Sequence, residues 1–368
     1  MADGTAEESG AAPRPYGKLL VAALLASLVA VEVGLRLVDL RAGRDADFFA
    51  PPPTTHGLYE PHPYIGYVLQ AGAGRDQGNY TFHINSLGFR GPEYAAEKPA
   101  DVYRILCLGG STTYGTGVSS DEATYPGQLE AMLNLVAAEG RKYEVWNCGV
   151  SGYNSAESLI NLQLRLLQYD PDAIVIYHAA NDARPIQARG FRPDYAHVRR
   201  SWVASEISGL ERFLLRSWRT YAWLTRGTDS EEQLGALASY VFVPNFKDLH
   251  VPAGQAVPDR GVAAFLTNVR NMVAVARAAG VVPVLSTFAT CSECQLPQDE
   301  DFLATVHRIN QGLQALASDL DAPLIDVAAR LSDLPEMYED WMHFNDEGSR
   351  AHARVVVKAA KDAGLFEL

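Results

Sequence analysis

The sequence of 368 residues predicts an α/β protein: a parallel sheet with helices on both faces, preceded by one N-terminal transmembrane helix. Two observations carry this prediction. From about residue 101 onward, short apolar runs that suit buried strands alternate with segments of helical periodicity. Ahead of them, residues 19–31 are apolar and uncharged. With 48% hydrophobic and 20% charged residues, the composition fits a globular protein with a large core.

The first 40 residues predict a disordered tail at 1–15 and a membrane anchor at 16–40. The tail is rich in Ala, Gly, Glu and Pro. The apolar pattern continues through Glu32 and Arg36, which are one turn apart and able to pair, and reaches roughly the 20 residues that a bilayer needs. The alternatives are a cleaved signal peptide, although no small-x-small cleavage site follows, and the buried helix of a soluble protein. We favour an anchor.

The charged residues leave the orientation of the anchor open but argue against one class of partner. Basic residues flank the anchor on both sides, so the positive-inside rule favours neither orientation: Arg14 and Lys18 precede its core, and Arg36, Arg41 and Arg44 follow. We expect the bulk of the chain to lie outside the cytoplasm. The formal net charge of −13 argues against a nucleic-acid partner, which would need a basic surface.

Residues 41–100 predict a spacer followed by an N-terminal arm. Three consecutive prolines, Pro51–Pro53, indicate a stiff, extended segment. Residues 80–85 alternate with period two and predict a strand, and residues 85–92 are rich in turn formers. Arg90 in this arm either reaches the functional site or pins the arm to the core, and pinning is the simpler expectation.

Residues 101–368 predict the main domain, whose elements follow in order. A helix begins near Pro126, where proline suits the first turn, and ends before Gly140. Asn154 and Glu157 form the pattern of a capping box that opens the next helix. The pattern further along the chain predicts a helix at 261–279, a strand at 281–288, a helix at 301–318, a strand at 323–327 and a helix at 349–363.

Four polar or glycine-containing segments stand where predicted strands end. Ser111 follows the run Ile105–Gly110, Gly152 follows a second strand, and Asn181 follows a third. Asp340 and His343 come after the last strand, immediately before the last helix. Because parallel strands end at the same edge of a sheet, these residues are expected to lie close together.

The Asp-x-x-His pattern occurs twice, because Asp194 and His197 also fit it. A single match is therefore uninformative. We choose Asp340 and His343 because of their position between the final strand and the final helix.

This ordered set resembles the four blocks of the SGNH (GDSL-like) hydrolase family, in its membrane-anchored bacterial type. The resemblance covers roughly residue 103 to the C-terminus, with a helical insertion at about 184–260, and implies a three-layer flavodoxin-like sandwich. One position departs from the family pattern, since Ala179 stands where a glycine is usual.

The resemblance implies a serine esterase with a Ser111, His343 and Asp340 triad. A serine hydroxyl needs a base to take its proton, and His343 would be that base, oriented by Asp340. By the same resemblance, the backbone N–H groups of Ser111 and Gly152 and the side-chain amide of Asn181 would stabilise the oxyanion.

The expected substrate is an acyl or acetyl ester, of a cell-envelope glycan or lipid. The alternatives are an O-acyltransferase on the same fold, a non-catalytic membrane-anchored scaffold and a binding module. We expect no cofactor and no metal: no histidine lies close enough to Cys291 and Cys294 in sequence to complete a zinc site. For these two cysteines we expect a disulfide, and for Cys107 and Cys148, on neighbouring strands, buried apolar thiols.

The insertion at 184–260 carries an apolar stripe at helical spacing. Such a stripe usually packs inward, but it could also form a lid over Ser111 or a surface on the membrane. Residues 241–244 could line a substrate groove. The stripe consists of Leu210, Phe213, Leu214, Trp218, Tyr221 and Leu224.

Overall fold

The structure, a computed structural model, describes residues 16–41, 58–76, 80–188, 190–198, 218, 220–221, 259–294 and 300–368. The predicted tail, the prolines of the spacer, residues 210–214, Leu224 and residues 241–244 lie outside the described residues. The chain forms two compact units. The first comprises residues 1–57 and 207–233, and the second residues 58–206 and 234–368.

The first unit contains one long helix, α1 (Tyr16–Arg41). Its stretch Gly17–Leu37 is long and apolar enough to cross a membrane, with a mean hydropathy of 2.1, and is not buried. Arg36 Nε donates to Glu32 Oε1 at 2.9 Å, the pair that the sequence predicted. The N–H and hydroxyl of Thr220 both donate to Glu32 Oε2 at 2.8 Å. A helix of this kind near the N-terminus is typical of an anchor or a signal sequence.

The second unit is built on a five-stranded parallel sheet. Its strands are β5 (Val102–Gly109), β6 (Lys142–Asn147), β7 (Ala173–Tyr177), β8 (Val282–Ser286) and β9 (Leu324–Ile325). They lie in the order β6-β5-β7-β8-β9, which is the flavodoxin-like order. All eight residues of β5 and all five of β7 are buried, as expected for central strands covered on both faces.

Helices cover both faces of this sheet, so the predicted α/β sandwich is confirmed. They are α2 (Ser111–Tyr114), α3 (Tyr125–Val136), α4 (Ser155–Asn161), α5 (Ala180–Gln187), α6 (Asp259–Ala278), α7 (Glu300–Asp319), α8 (Ala328–Leu331) and α9 (Asp346–Ala363). Helices α3 and α9 pack together, and α6 packs with α4 and α7.

Two local predictions are informative about helix starts. The capping box of Asn154 and Glu157 is present at the start of α4, as predicted. The last helix begins three residues earlier than predicted, because the Asn345 side chain accepts from the N–H of Gly348 and caps the helix there.

Ahead of the sheet, the arm forms two antiparallel hairpins. The first pairs β1 (Tyr59–His62) with β2 (Gly66–Leu69), and the second pairs β3 (Gly74–Asp76) with β4 (Thr81–His83). Arg90 then makes isolated bridges to Ile84 and to Asn147 at the end of β6. The arm therefore reaches the carboxyl end of the sheet, where the predicted site residues lie.

Candidate active site

Ser111 begins α2 directly after β5, at the carboxyl edge of the sheet. Neighbouring atoms leave no room for a side chain at the two glycines that precede Ser111. A Cβ at Gly109 would lie 1.9 Å from the Thr113 hydroxyl, and one at Gly110 would lie 2.4 Å from Asn181 Nδ2. As the first residue of a helix, Ser111 has a backbone N–H without an intrahelical acceptor.

His343 and Asp340 complete one chain of hydrogen bonds with Ser111, which we call the edge group. His343 Nε2 lies 2.8 Å from Ser111 Oγ, and His343 Nδ1 lies 2.7 Å from Asp340 Oδ2. An ionised carboxylate only accepts, so it holds the proton on Nδ1 and leaves Nε2 to accept from the serine hydroxyl. The imidazole is buried and Ser111 is half-buried.

Asp340 is itself fixed by the backbone of its loop. Its Oδ1 accepts from the N–H groups of Met342 and His343, both at 2.8 Å. Partial burial by itself would raise the pKa of the Asp340 carboxyl, but the hydrogen bonds from His343 and Met342 outweigh it and lower the pKa. The carboxylate is therefore kept ionised beside the imidazole.

Asn181 lies in the first turn of α5, and its amide lies against Gly110. Nδ2 donates to the carbonyl of Tyr153 at 2.9 Å. An amide nitrogen carries two hydrogens, so this bond leaves a second one able to donate toward a ligand on Ser111. Gly152, beside Tyr153, has φ of 85°, a conformation that favours glycine.

At Ala179, where the sequence departs from the family pattern, φ is −171°, so the position does not have the positive φ that favours glycine. The second Asp-x-x-His copy lies elsewhere in the fold. His197 Nε2 is 2.9 Å from the carbonyl of Pro185, and Asp194 pairs with Arg192. That copy therefore serves as a local turn.

A second set of serine, histidine and aspartate lies inside the domain. Ser155 Oγ donates to Asp182 Oδ1 at 2.6 Å, and Tyr195 Oη donates to the same oxygen at 2.9 Å. His178 Nε2 is 2.7 Å from Ser158 Oγ. We call these five residues the inner group. All are buried, at 2% exposure or less.

The inner group lacks the properties of a reaction centre. Its histidine and its aspartate bind different serines, so no proton path joins the three residue types. Burial lowers the pKa of His178 to about 3 and therefore keeps it neutral. Sequence reasoning missed the Ser155, Asp182 and Tyr195 contacts, because the three residues come from three separate segments. The only indication of these contacts in the sequence is that Asp182 directly follows the candidate site residue Asn181.

The cysteines fall into two classes. Cys107 and Cys148 are buried free thiols, and burial raises the pKa of Cys107 to about 12, so it packs as an apolar side chain. Cys291 and Cys294 are joined by a disulfide. The Cys291 N–H donates to the carbonyl of Trp341 at 2.9 Å, so this disulfide adjoins the loop of Asp340 and His343. Among the described residues, no cluster of His, Cys, Asp and Glu is arranged to hold a metal ion.

The chain matches the model of one protein family. A model of the GDSL-like lipase/acylhydrolase family matches residues 107–351. No curated protein matches the chain. A GDSL-like lipase from Bacteroides thetaiotaomicron is 13% identical, with 71% of this chain and 88% of that chain covered and a TM-score of 0.40. The lipase/acylhydrolase from Enterococcus faecalis is 14% identical, with 71% and 96% covered and a TM-score of 0.43.

Proposed function

Because the chain belongs to the GDSL-like lipase/acylhydrolase family and is an enzyme that acts on ester bonds, we propose that Ser111, His343 and Asp340 are its catalytic triad. The observation that carries this proposal is the unbroken chain of hydrogen bonds from Asp340 through His343 to Ser111, at 2.7 and 2.8 Å. It lies at the carboxyl edge of the sheet, where α/β proteins of this topology bind their ligands.

The reaction follows from this geometry. Ser111 Oγ attacks the ester carbonyl carbon while its proton passes to His343 Nε2. The resulting oxyanion is stabilised by the N–H groups of Ser111 and Gly152 and by the amide of Asn181. The C–O bond to the alcohol then breaks, and the alcohol leaves with the proton from His343. Water, deprotonated by His343, attacks the carbonyl carbon of the acyl-serine, and the bond to Ser111 Oγ breaks as His343 returns the proton to that oxygen, which releases the acid and restores Ser111.

We also propose that the enzyme works outside the cytoplasm, on an acyl or acetyl ester of an envelope glycan or lipid. Support comes from α1, which is long and apolar enough to anchor the chain. The chain between Arg41 and Tyr59 can span at most ~65 Å even when it is fully extended. An anchored enzyme of this kind would act only on substrates close to the bilayer.

Labelling with an active-site probe tests the nucleophile. The full-length chain in detergent should react with a fluorophosphonate and hydrolyse short-chain p-nitrophenyl esters, and Ser111→Ala should do neither. Ser155→Ala is the matched control, because Ser155 is also hydrogen-bonded but lies in the inner group. Equal labelling of the parent and of Ser111→Ala would refute the assignment. With an added sugar acceptor, an acylated sugar instead of free acid would identify the transferase alternative.

Fractionation tests the location. The full-length chain should sediment with membranes, and a chain that lacks residues 1–53 should be soluble and still hydrolyse small esters. In cells, the truncated form should lose activity on the natural substrate. An uncleaved full-length chain in the soluble fraction would disprove the anchor.

A further inference from the structure

The arm, defined as residues 58–92, precedes the segment that the family model matches, which begins at Cys107. It nevertheless packs against the candidate active site. An apolar cluster joins arm residues such as Tyr59, Tyr67 and Ile84 to three residues of the core: Tyr114, Val150 and Tyr153. Tyr114 ends the short helix that Ser111 begins, and Val150 and Tyr153 flank Gly152.

Arg90 holds the far end of the Ser111 helix. Its side chain is fully buried, and Nε donates to Asp121 Oδ1 at 2.6 Å. One terminal nitrogen, Nη1, donates to the carbonyls of Tyr114 and Gly115 at 3.1 and 2.9 Å. The other, Nη2, donates to the carbonyl of Thr81 in the arm at 3.3 Å. One guanidinium thus joins the arm, the loop of Asp121 and α2.

The Arg90 contacts stabilise the C-terminal end of α2. Its last carbonyls have no partner within the helix, and a cation at the C-terminal end is favourable to the helix dipole. Because α2 spans only Ser111–Tyr114, the carbonyls that Arg90 holds are one turn from Ser111. A shift at Tyr114 therefore tilts the helix and moves Ser111 Oγ relative to His343 Nε2.

Tyr67 holds the loop of Gly152 from both sides. Its hydroxyl donates to the carbonyl of Ser151 at 2.7 Å, and its own carbonyl accepts from the hydroxyl of Tyr153. The rings of Tyr67 and Tyr153 pack edge to face, with centroids 5.2 Å apart. The Ser151 carbonyl belongs to the same peptide unit as the Gly152 N–H, so the bond from the Tyr67 hydroxyl restrains that unit directly, and the bond from the Tyr153 hydroxyl holds the next residue through its side chain.

We propose that the arm is a working part of the active site, in which Arg90 and Tyr67 are positioning residues. Arg90 sets the position of the nucleophile, and Tyr67 sets the position of the Gly152 N–H. The inference rests on the proposed roles of Ser111 and Gly152. The arm is therefore more than a link between α1 and the hydrolase core, because the geometry of the reaction depends on it.

Tyr67→Phe removes one hydroxyl and keeps the ring. In the full-length chain we expect kcat for a short-chain p-nitrophenyl ester to fall by about 10- to 100-fold, since small displacements of catalytic groups cost this much. KM should change little, because the substrate ground state is bound by other contacts. An alkylboronic acid binds Ser111 as a tetrahedral anion, and its inhibition constant should rise by the same factor by which kcat/KM falls.

The matched control is Tyr64→Phe. Tyr64 lies in the turn of the same hairpin and is 73% exposed, so the loss of its hydroxyl should leave kcat and the boronic acid affinity unchanged. Active-site titration and thermal melting accompany each variant. If Tyr67→Phe lowers only the titrated fraction of active enzyme, with kcat per active site unchanged, the role of Tyr67 is structural and the part of the proposal that concerns Tyr67 fails.

Arg90→Lys tests the other contact independently. Lysine keeps the charge but lacks the planar fork that reaches Asp121 and the carbonyls of Thr81, Tyr114 and Gly115, so it should not support full activity. We expect kcat per titrated site to fall by about 10- to 100-fold, with slower fluorophosphonate labelling of Ser111. Unchanged kcat in both Arg90→Lys and Tyr67→Phe, beside an inactive Ser111→Ala, would overturn this inference and leave the proposed function intact. An active Ser111→Ala would refute the proposed function itself.

Discussion

The edge group and the inner group contain the same three residue types in hydrogen-bonded contact, yet they differ in connection and access. In the edge group, one histidine bridges serine and aspartate, and the serine is half-buried. In the inner group, His178 contacts Ser158 while Asp182 contacts Ser155, and every member is buried. Short distances among suitable residues therefore do not define a reaction centre. A continuous proton path and access for the substrate do.

The largest expected effect separates the two serines. Ser111→Ala should lower kcat by a factor on the order of 10⁶, because a triad serine and its base act as a unit. Ser155→Ala loses two side-chain hydrogen bonds, one to Asp182 and one from Asn268, and should melt at a lower temperature, but its kcat per folded molecule should stay close to that of the parent. Ester hydrolysis together with circular dichroism melting checks both variants. The opposite ranking would place the reaction at the inner group.

The next effect separates the two Asp-x-x-His copies. Asp340→Asn should lower kcat by about 10⁴, because the amide no longer holds the His343 proton on Nδ1. Asp194→Asn, in the surface turn, should leave kcat unchanged. Steady-state kinetics on one ester suffices. If both variants behave alike, Asp340 does not orient the base.

A smaller loss is expected at the oxyanion donor. Asn181→Ala should lower kcat by roughly 10²–10³ and leave the fold intact, since one of three donors is removed. Kinetics and a melting curve measure the two effects separately. An unfolded variant would instead identify the Asn181 bond to Tyr153 as structural, and a variant with normal kcat would exclude Asn181 from the oxyanion hole.

The smallest effect is on stability and depends on pH. Burial raises the pKa of Asp182 to about 7, although hydrogen bonds from Ser155 and Tyr195 oppose the shift. In the unfolded chain this carboxyl titrates near its ordinary pKa of about 4. Between these values the folded state binds more protons, so the contribution of Asp182 to stability falls as pH rises from about 4 to 7.

Asp182→Asn should therefore weaken the pH dependence of melting. The amide oxygen can still accept from Ser155 and Tyr195, but the side chain no longer ionises. We expect the melting temperature of the parent to drop more than that of the variant between pH 5 and pH 8. Parallel curves for the two proteins would show that Asp182 does not titrate in this range.

Much of the fold was predictable, because its signals are local. The apolar runs that became β5 and β7, the Asn154 and Glu157 capping box and the helix after Asn345 depend on residues close in sequence. The order of the strand ends also predicted which residues would meet at one edge of the sheet. The catalytic roles of Ser111, Asn181, Asp340 and His343 stay predictions until the variants are measured.

The contacts that join distant segments were not predictable. The sequence left two alternatives for Arg90, and its bonds to Asp121 and to the end of α2 show that it pins the arm to the helix that Ser111 begins. Tyr67 carried no sequence signal at all. Its packing on Tyr153 and its hydrogen bond to the Ser151 carbonyl place it beside Gly152, and both contacts arise only in the folded chain.

By itself, the sequence determined the strands, the helices and the residue types at the strand ends, since period, capping and turn chemistry act over a few residues. Tertiary structure alone decided which serine is buried with Asp182. It also decided that the arm holds the loop of Gly152. Each of these depends on the direction and burial of side chains that the packed sheet and helices bring together from distant parts of the chain.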